Sequence, residues 1–167
     1  ALAVRRVISR AGCASSMEPT YRHLRSRGQH AGPEGQRRGD ILTVLPDGRV
    51  IIVDIVVTHP AAPTYARAAA RTDGAAAERA ANQKRAEFRS FADGAQYEFV
   101  PFAVESFGRL GQDAQRFIST LGDVAAASGR VSKSVFVMNA YKDLSCTLQR
   151  GNGLMYSRSL FHIARAE

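Results

Sequence analysis

The sequence predicts an α/β domain of three layers, a mixed central sheet flanked by helices, with a C-terminal helical extension. Three observations carry this expectation. β-Branched runs occur at 40–57 and 97–104, helix-forming stretches with one apolar face lie between and after them, and the chain has 167 residues, close to the usual size of one domain. That length leaves no room for a multidomain enzyme. Hydrophobic residues make up 45% and charged residues 23%, ordinary globular values, and no stretch approaches the roughly 18 uninterrupted apolar residues of a membrane span. The core is placed at 1–128 and the helical extension at 129–167.

Leu2, Val4, Val7 and Ile8 predict an amphipathic helix, truncated at the start of the chain and ended by Gly12, which suits the left-handed position after a helix. Arg5, Arg6 and Arg10 interrupt it without the apolar core of a secretory signal. Ser15 to Leu24 reads as an edge strand, because Pro19 is tolerated only at an edge or bulge. Arg25 to Arg38 is a polar loop rich in Gly and Arg. The residues from Asp40 to Val57 form two β-branched runs around Pro46-Asp47-Gly48, a hairpin signal. Pro46 and Asp47 suit a type I turn and Gly48 a left-handed bulge, so a three-residue loop pairs Leu45 with Arg49. A connection rich in Pro and Ala follows from Thr58 to Gly74. Ala75 to Phe91 is a predicted helix with Ala77, Ala80, Ala81, Lys84, Phe88 and Phe91 on one stripe, so Lys84 points inward. Tyr97 to Val104 is a strand, Gly108 to Gly111 a turn, and Ala114 to Ala127 a helix with Phe117, Ile118, Leu121, Val124 and Ala125 inward. Two last helices, about Ser132 to Gln149 and Asn152 to Ala166, meet at Gly151.

The net charge is +8, and only Lys84, Lys133 and Lys142 among the 23 basic residues are lysines, leaving 20 arginines. Guanidinium forks match phosphate oxygens bidentately, so an anionic polymer is the natural partner, although a GC-rich genome also favours Arg and Ala. Cys13 and Cys146 lie far apart, without CxxC spacing, which supports neither a thiolate zinc site nor a disulfide framework and points to a reducing compartment.

The hairpin register has a chemical consequence. Counted back from the turn, Thr43 faces Ile51 and Asp40 faces Asp54, which sets two carboxylates side by side with β-carbons about 4.5 to 5.5 Å apart. Like charges so placed repel, and Asp54 interrupts a run, Val50 to Val57, in which the other seven residues are all β-branched and apolar. Such a pair calls for a cation or a proton. Magnesium takes one or two carboxylates plus water and phosphate oxygens, so Asp40 and Asp54 with a backbone carbonyl suffice.

Arg38-Gly39-Asp40, the hairpin, Val53-Asp54-Ile55-Val56-Val57-Thr58, a helix carrying Lys84, then Phe99-Val100-Pro101-Phe102 and Glu105-Ser106-Phe107-Gly108 resemble the restriction-like endonuclease domain of non-LTR retrotransposons, a PD-(D/E)XK nuclease. The resemblance spans roughly Ala11 to Ala127. Gly39 stands where the pattern has Pro, and Val56 where most of the superfamily keeps its Lys. In the retrotransposon enzymes that Lys moves to the following helix, so its role maps onto Lys84. The resemblance implies a restriction-endonuclease-like core and a Mg2+- or Mn2+-dependent DNA endonuclease that leaves a 3′-hydroxyl. It makes Asp40, Asp54 and Lys84 catalytic, with the metal held by Asp40, Asp54 and the Ile55 carbonyl and the shell completed by Glu18.

Glu18 reads equally well as a surface residue before Pro19, and His59 either touches a phosphate or caps a strand end. Arg37, Arg38, Arg79 and Arg85 are candidate phosphate contacts, which position a duplex without reading sequence. Glu78 and Gln83 flank Lys84, Glu78 on a solvated helix face. The family context implies a nuclear, C-terminal piece of a polyprotein whose polymerase portion is the partner on which the final helices dock. Two other readings stay open: a nuclease fold that binds nucleic acid without cutting, and a structural protein in which an internal Arg neutralises Asp54.

Overall fold

A computed structural model describes residues 1–18, 39–89 and 97–163, with side chains to 158. The elements run α1 (Leu2–Ala11), β1 (Ala14–Met17), β2 (Ile41–Val44), β3 (Val50–Thr58), α2 (Pro63–Ala69), α3 (Ala75–Arg89), β4 (Glu98–Glu105), α4 (Gln112–Ala127) and α5 (Lys133–Ile163). Four strands form one mixed sheet in the order β1-β2-β3-β4. β1, β2 and β3 are antiparallel neighbours, whereas β4 lies parallel to β3 and is reached by a crossover that contains α3. Helices lie on both faces of the sheet, an α/β arrangement compatible with the three-layer expectation.

The hairpin forms as its turn chemistry dictates. Leu45 N–H donates to the Arg49 carbonyl at 2.9 Å and Gly48 N–H to that of Leu45 at 3.0 Å. Gly48 takes a φ of 87°, a backbone shape that carries little penalty only without a β-carbon. Asp47 locks the loop by accepting from Arg49 N–H at 3.1 Å and from its guanidinium Nε at 2.8 Å, and these bonds hold the Asp47 carboxyl below its ordinary range.

Because side chains alternate along a strand, β3 serves two layers. Ile51 and Val53 join Ile41, Val100 and Phe102 in the main core, which α1 fills with Val7 and Ile8, α4 with Phe117, Ile118 and Leu121, and α5 with Phe136 and Ala140. On the opposite face Ile52 packs with Phe88 of α3, and Val56 with Ala77, Ala81 and Ala103. Glu105, at the end of β4, is buried, and its Oε1 accepts from the Ala76 and Ala77 N–H groups at 3.2 and 3.3 Å, satisfying donors that the start of α3 leaves open. Glu78 does the same for α4, its Oε1 accepting from Gln112 N–H at 2.6 Å.

Several expected elements are corrected. The connection from Thr58 to Gly74 contains α2, which opens on Pro63 and buries none of its residues, so no apolar face announced it. Arg79 holds it by donating to the Thr64 carbonyl at 2.8 Å and lying over the Tyr65 ring. The two final helices are one helix: α5 runs straight through Gly151, because a glycine costs about 1 kcal/mol in a helix without breaking it and keeps its N–H. Asn152 ties this helix to the sheet, Nδ2 donating to the Ser106 carbonyl at 2.8 Å. Leu2 is exposed rather than on the buried stripe of α1, and Glu78, half-buried on its helix face, also caps α4. The expected continuation of the first strand to Leu24, with Pro19, the loop to Arg38, and Phe91 lie outside the described residues. Cys13 is buried and Cys146 exposed, both as free thiols. Among the described residues no helix is long and apolar enough to cross a membrane.

Candidate active site

Asp54 sits on the α3 face of β3, between Ile52 and Val56, and α3 is laid over it in matching order. Positions 77 and 81 cover Val56, position 88 covers Ile52, and Lys84, on the same helical stripe, falls over Asp54. Small alanines bring the helix close enough for the lysine stem to lie along apolar surface while its ammonium reaches the strand. Lys84 Nζ lies 3.1 Å from Asp54 Oδ2.

The observed pairing ends at Ile41 opposite Val53, and continuing it by one residue sets Asp40 opposite Asp54. This is a position of the antiparallel ladder where the backbones exchange no hydrogen bond and side chains lie closest. β2 begins only after Asp40, so the Ile55 N–H, which a longer strand would have paired through the Gly39 carbonyl, is satisfied by the Asp40 side chain: Ile55 N–H donates to Asp40 Oδ2 at 2.7 Å. The carboxylate thus replaces a rung of the sheet and is held in a fixed orientation beside Asp54.

The electrostatics of the pair are unbalanced. Burial pushes the Asp54 carboxyl above its ordinary range; the hydrogen bond and charge of Lys84 pull it down, and the charges of Asp40 and Glu87 push it up again. With side-chain exposures of 16% for Asp54 and 32% for Lys84, solvent screens this group only in part. At Asp54 burial and the neighbouring carboxylates together outweigh the one ammonium. In these contacts each aspartate uses Oδ2 and keeps Oδ1, so the donor set is two hard carboxylate oxygens next to strand carbonyls, the chemistry that magnesium and manganese prefer. The residues fit a divalent ion that brings its own water. Among the described residues no three His, Cys, Asp or Glu side chains form a metal-sized group, so Glu18 does not converge with the two aspartates. Its backbone N–H donates to the Asp40 carbonyl at 2.9 Å, with Glu18 at a φ of 50°.

Other expected site residues are dispersed. His59 lies beyond the far end of β3, its Nδ1 2.7 Å from Ser106 Oγ and its ring edge-on to Phe107. Arg79 is engaged with α2, and Arg85 pairs with Asp113 of α4 while donating to Asn82 Oδ1 at 2.6 Å. Arg37 and Arg38 lie outside the described residues. The cation beside Asp54 is a lysine, not the internal arginine of the structural reading.

One neighbour escaped the sequence reading. Glu87 lies one turn beyond Lys84, its Oε2 3.9 Å from Lys84 Nζ, and Gln83 Nε2 donates to its Oε1 at 3.3 Å. The i+3 spacing from Lys84 was the available signal.

No family model, curated protein or solved structure matches the chain.

Proposed function

We propose that the chain is a metal-dependent DNA endonuclease with a restriction-endonuclease-like core, in which Asp40, Asp54 and Lys84 form the catalytic group. The observation that carries this reading is the convergence of three residues from separate elements, two carboxylates opposed across a hairpin and a lysine ammonium 3.1 Å from one of them, on a face otherwise apolar. A structural role needs no such group, because burying charges in the sheet costs more than it returns unless something compensates them.

Asp40, Asp54 and the Ile55 carbonyl would hold magnesium or manganese. Bound there, the ion would supply Lewis acidity toward the scissile phosphate and a water of lowered pKa. Asp40 is kept in place by the Ile55 N–H, so its free oxygen is presented without further rearrangement. Lys84 contributes a compact positive charge where negative charge grows on the phosphate oxygens, or orients the attacking water. The net charge of +8, carried mostly by arginine, favours a phosphate polymer as substrate and predicts DNA affinity that falls steeply with salt and depends little on sequence. By analogy with the domain it resembles, the product carries a 3′-hydroxyl, and a polymerase portion of the same polyprotein, in the nucleus, uses it.

A plasmid-nicking assay tests the reading. Supercoiled DNA should convert to open circles with Mn2+ or Mg2+ and stay supercoiled with EDTA, and Asp40→Ala should bind DNA without nicking it. DNA binding with no nicking by the wild-type chain under any divalent ion would make it a nucleic-acid-binding module instead.

A further inference from the structure

The backbone makes the same tight turn twice, and the two tips carry opposite chemistry. At 45–49 Leu45 and Arg49 close a loop with Gly48 at a φ of 87°. At 105–109 Glu105 N–H donates to the Arg109 carbonyl at 2.8 Å and Gly108 N–H to the Glu105 carbonyl at 2.8 Å, with Gly108 at a φ of 103°. Asp47, third in the first loop, bonds Arg49 and so locks its own turn. Phe107 stands at that position in the second loop and is 70% exposed. The turn does not need its ring, because Ser106 anchors the loop: its N–H donates to the Thr58 carbonyl at 2.7 Å, its carbonyl accepts from Asn152 Nδ2 at 2.8 Å, and its Oγ lies 2.7 Å from His59 Nδ1. A large aromatic ring is thus presented to solvent on a rigid support, with His59 edge-on at 5.4 Å between ring centroids.

The surroundings of the ring select its ligand. Phe107 borders a groove of about 470 Å3 against α5, to which Tyr141, Lys142 and Ser145 contribute and which, among the described residues, no carboxylate lines. Lys142 and Arg109, the latter two residues along the turn, are exposed and in no ion pair among the described residues. An aromatic face framed by such cations suits a base on a phosphate chain, since every base has a π-face to stack and the cations take the neighbouring phosphates. A duplex keeps its bases stacked on one another, so the base has to be unpaired. Thr58, at the foot of the turn opposite Glu105, lies about 13 Å along β3 from Asp54. That is the rise of about four nucleotides, so a strand cut at the carboxylates can reach the turn. We propose that Phe107 stacks on an unpaired base of the bound strand, a few nucleotides from the scissile phosphate, with Arg109 and Lys142 on the flanking phosphates. The proposal rests on the endonuclease reading for its nucleic-acid ligand and adds a contact remote from the metal and the reacting atoms.

The chain has no tryptophan, so Phe107→Trp keeps an aromatic platform and turns it into a fluorescent reporter. Fluorescence anisotropy of a labelled oligo(dT), and of a labelled blunt duplex of the same length, measures affinity for the full wild-type chain, Phe107→Ala and Phe107→Trp in EDTA, where nothing is cut. Thermal melts of each variant verify folding before titration. Phe107→Ala should weaken oligo(dT) binding about tenfold, the loss of one stacked base, and duplex binding less than about twofold. Phe107→Trp should bind oligo(dT) within about twofold of wild type, and its indole emission should fall as the base stacks on it. Equal weakening for both nucleic acids would overturn the proposal, as would unchanged emission of Phe107→Trp at saturating oligo(dT). A wild-type chain that binds neither nucleic acid would remove the nucleic-acid reading, and the proposal with it, whereas a wild-type chain that nicks plasmid while Phe107→Ala binds oligo(dT) normally would overturn the proposal alone.

Discussion

The two faces of the sheet are packed on different principles. On the α1/α4/α5 face Phe102, Ile118, Leu121 and Ile8 interlock as large, fully buried side chains, whereas on the α3 face large side chains meet only at one end, where Ile52 packs with Phe88, and the other end is a contact of Ala77, Ala81 and Ala103, with Asp54 and Lys84 set between the two. The first face supplies stability through buried area. The second gives up area for proximity, because only a layer as thin as alanine lets a lysine from the helix touch an aspartate in the strand. A charged group can be kept inside a small domain when one face carries the hydrophobic burden and the other is free to be built around chemistry.

Substitutions should separate the faces. The largest effects fall on activity: Asp40→Ala and Asp54→Ala are expected to abolish metal-dependent cleavage while DNA affinity, read by filter binding, stays level or tightens slightly as negative charge is lost. Lys84→Ala should slow single-turnover cleavage by about a hundredfold or more, with little loss of DNA binding. Lys84→Arg should not restore the rate, since a planar fork does not replace a compact ammonium. On the other face Phe102→Ala should cost about 3–5 kcal/mol in a denaturant titration and affect cleavage only through the folded fraction.

Filling the thin layer should couple the two faces' properties. Ala81→Leu adds volume where the helix meets Val56 and Ala103, and is expected to cost about 1–3 kcal/mol through overpacking. It should also slow cleavage by lifting Lys84 away from Asp54. Stability loss with an unchanged rate would show that the lysine does not depend on the alanine contact.

The smallest expected effect is on stability and has an unusual sign. Burial raises the Asp54 carboxyl above its ordinary range, so the folded state holds that proton more tightly than the unfolded chain. The stability this contributes is complete below the ordinary carboxylate range and is lost as pH rises through the raised value. Asp54→Asn, neutral at every pH, should therefore melt a little higher than the metal-free wild type at neutral pH, and the difference should vanish in acid. A lower melting temperature at neutral pH would mean that the ion pair with Lys84 outweighs the burial of the charge.

What could be read from the sequence was local or periodic. Pro46-Asp47-Gly48 sets its own turn, and that turn fixes the register that opposes Asp40 and Asp54; the alanine stripe of α3 likewise places Lys84 on the inner face by helical spacing alone. Tertiary features were hidden. α2 buries nothing, so it carries no pattern, and Glu105 caps α3 from a strand end 28 to 29 residues away, a partnership no local motif encodes. Gly151 looked like a break because glycine punctuates most helices, yet α5 continues through it. Arg79 and Arg85 read as free cations, and only the folded chain shows them committed to Thr64, Tyr65 and Asp113.

The central claim is that the carboxylate pair is left incomplete by the protein and is completed by a divalent ion. Thermal unfolding with and without Mn2+ tests it most directly, because an ion bound only by the folded state raises the melting temperature by an amount that grows with the logarithm of one plus its concentration over Kd. The wild-type chain should melt higher with Mn2+, and by a larger margin at pH 8 than at pH 5, while Asp54→Asn should show little or no shift. An equal shift in both proteins, or none in the wild type, would contradict the account.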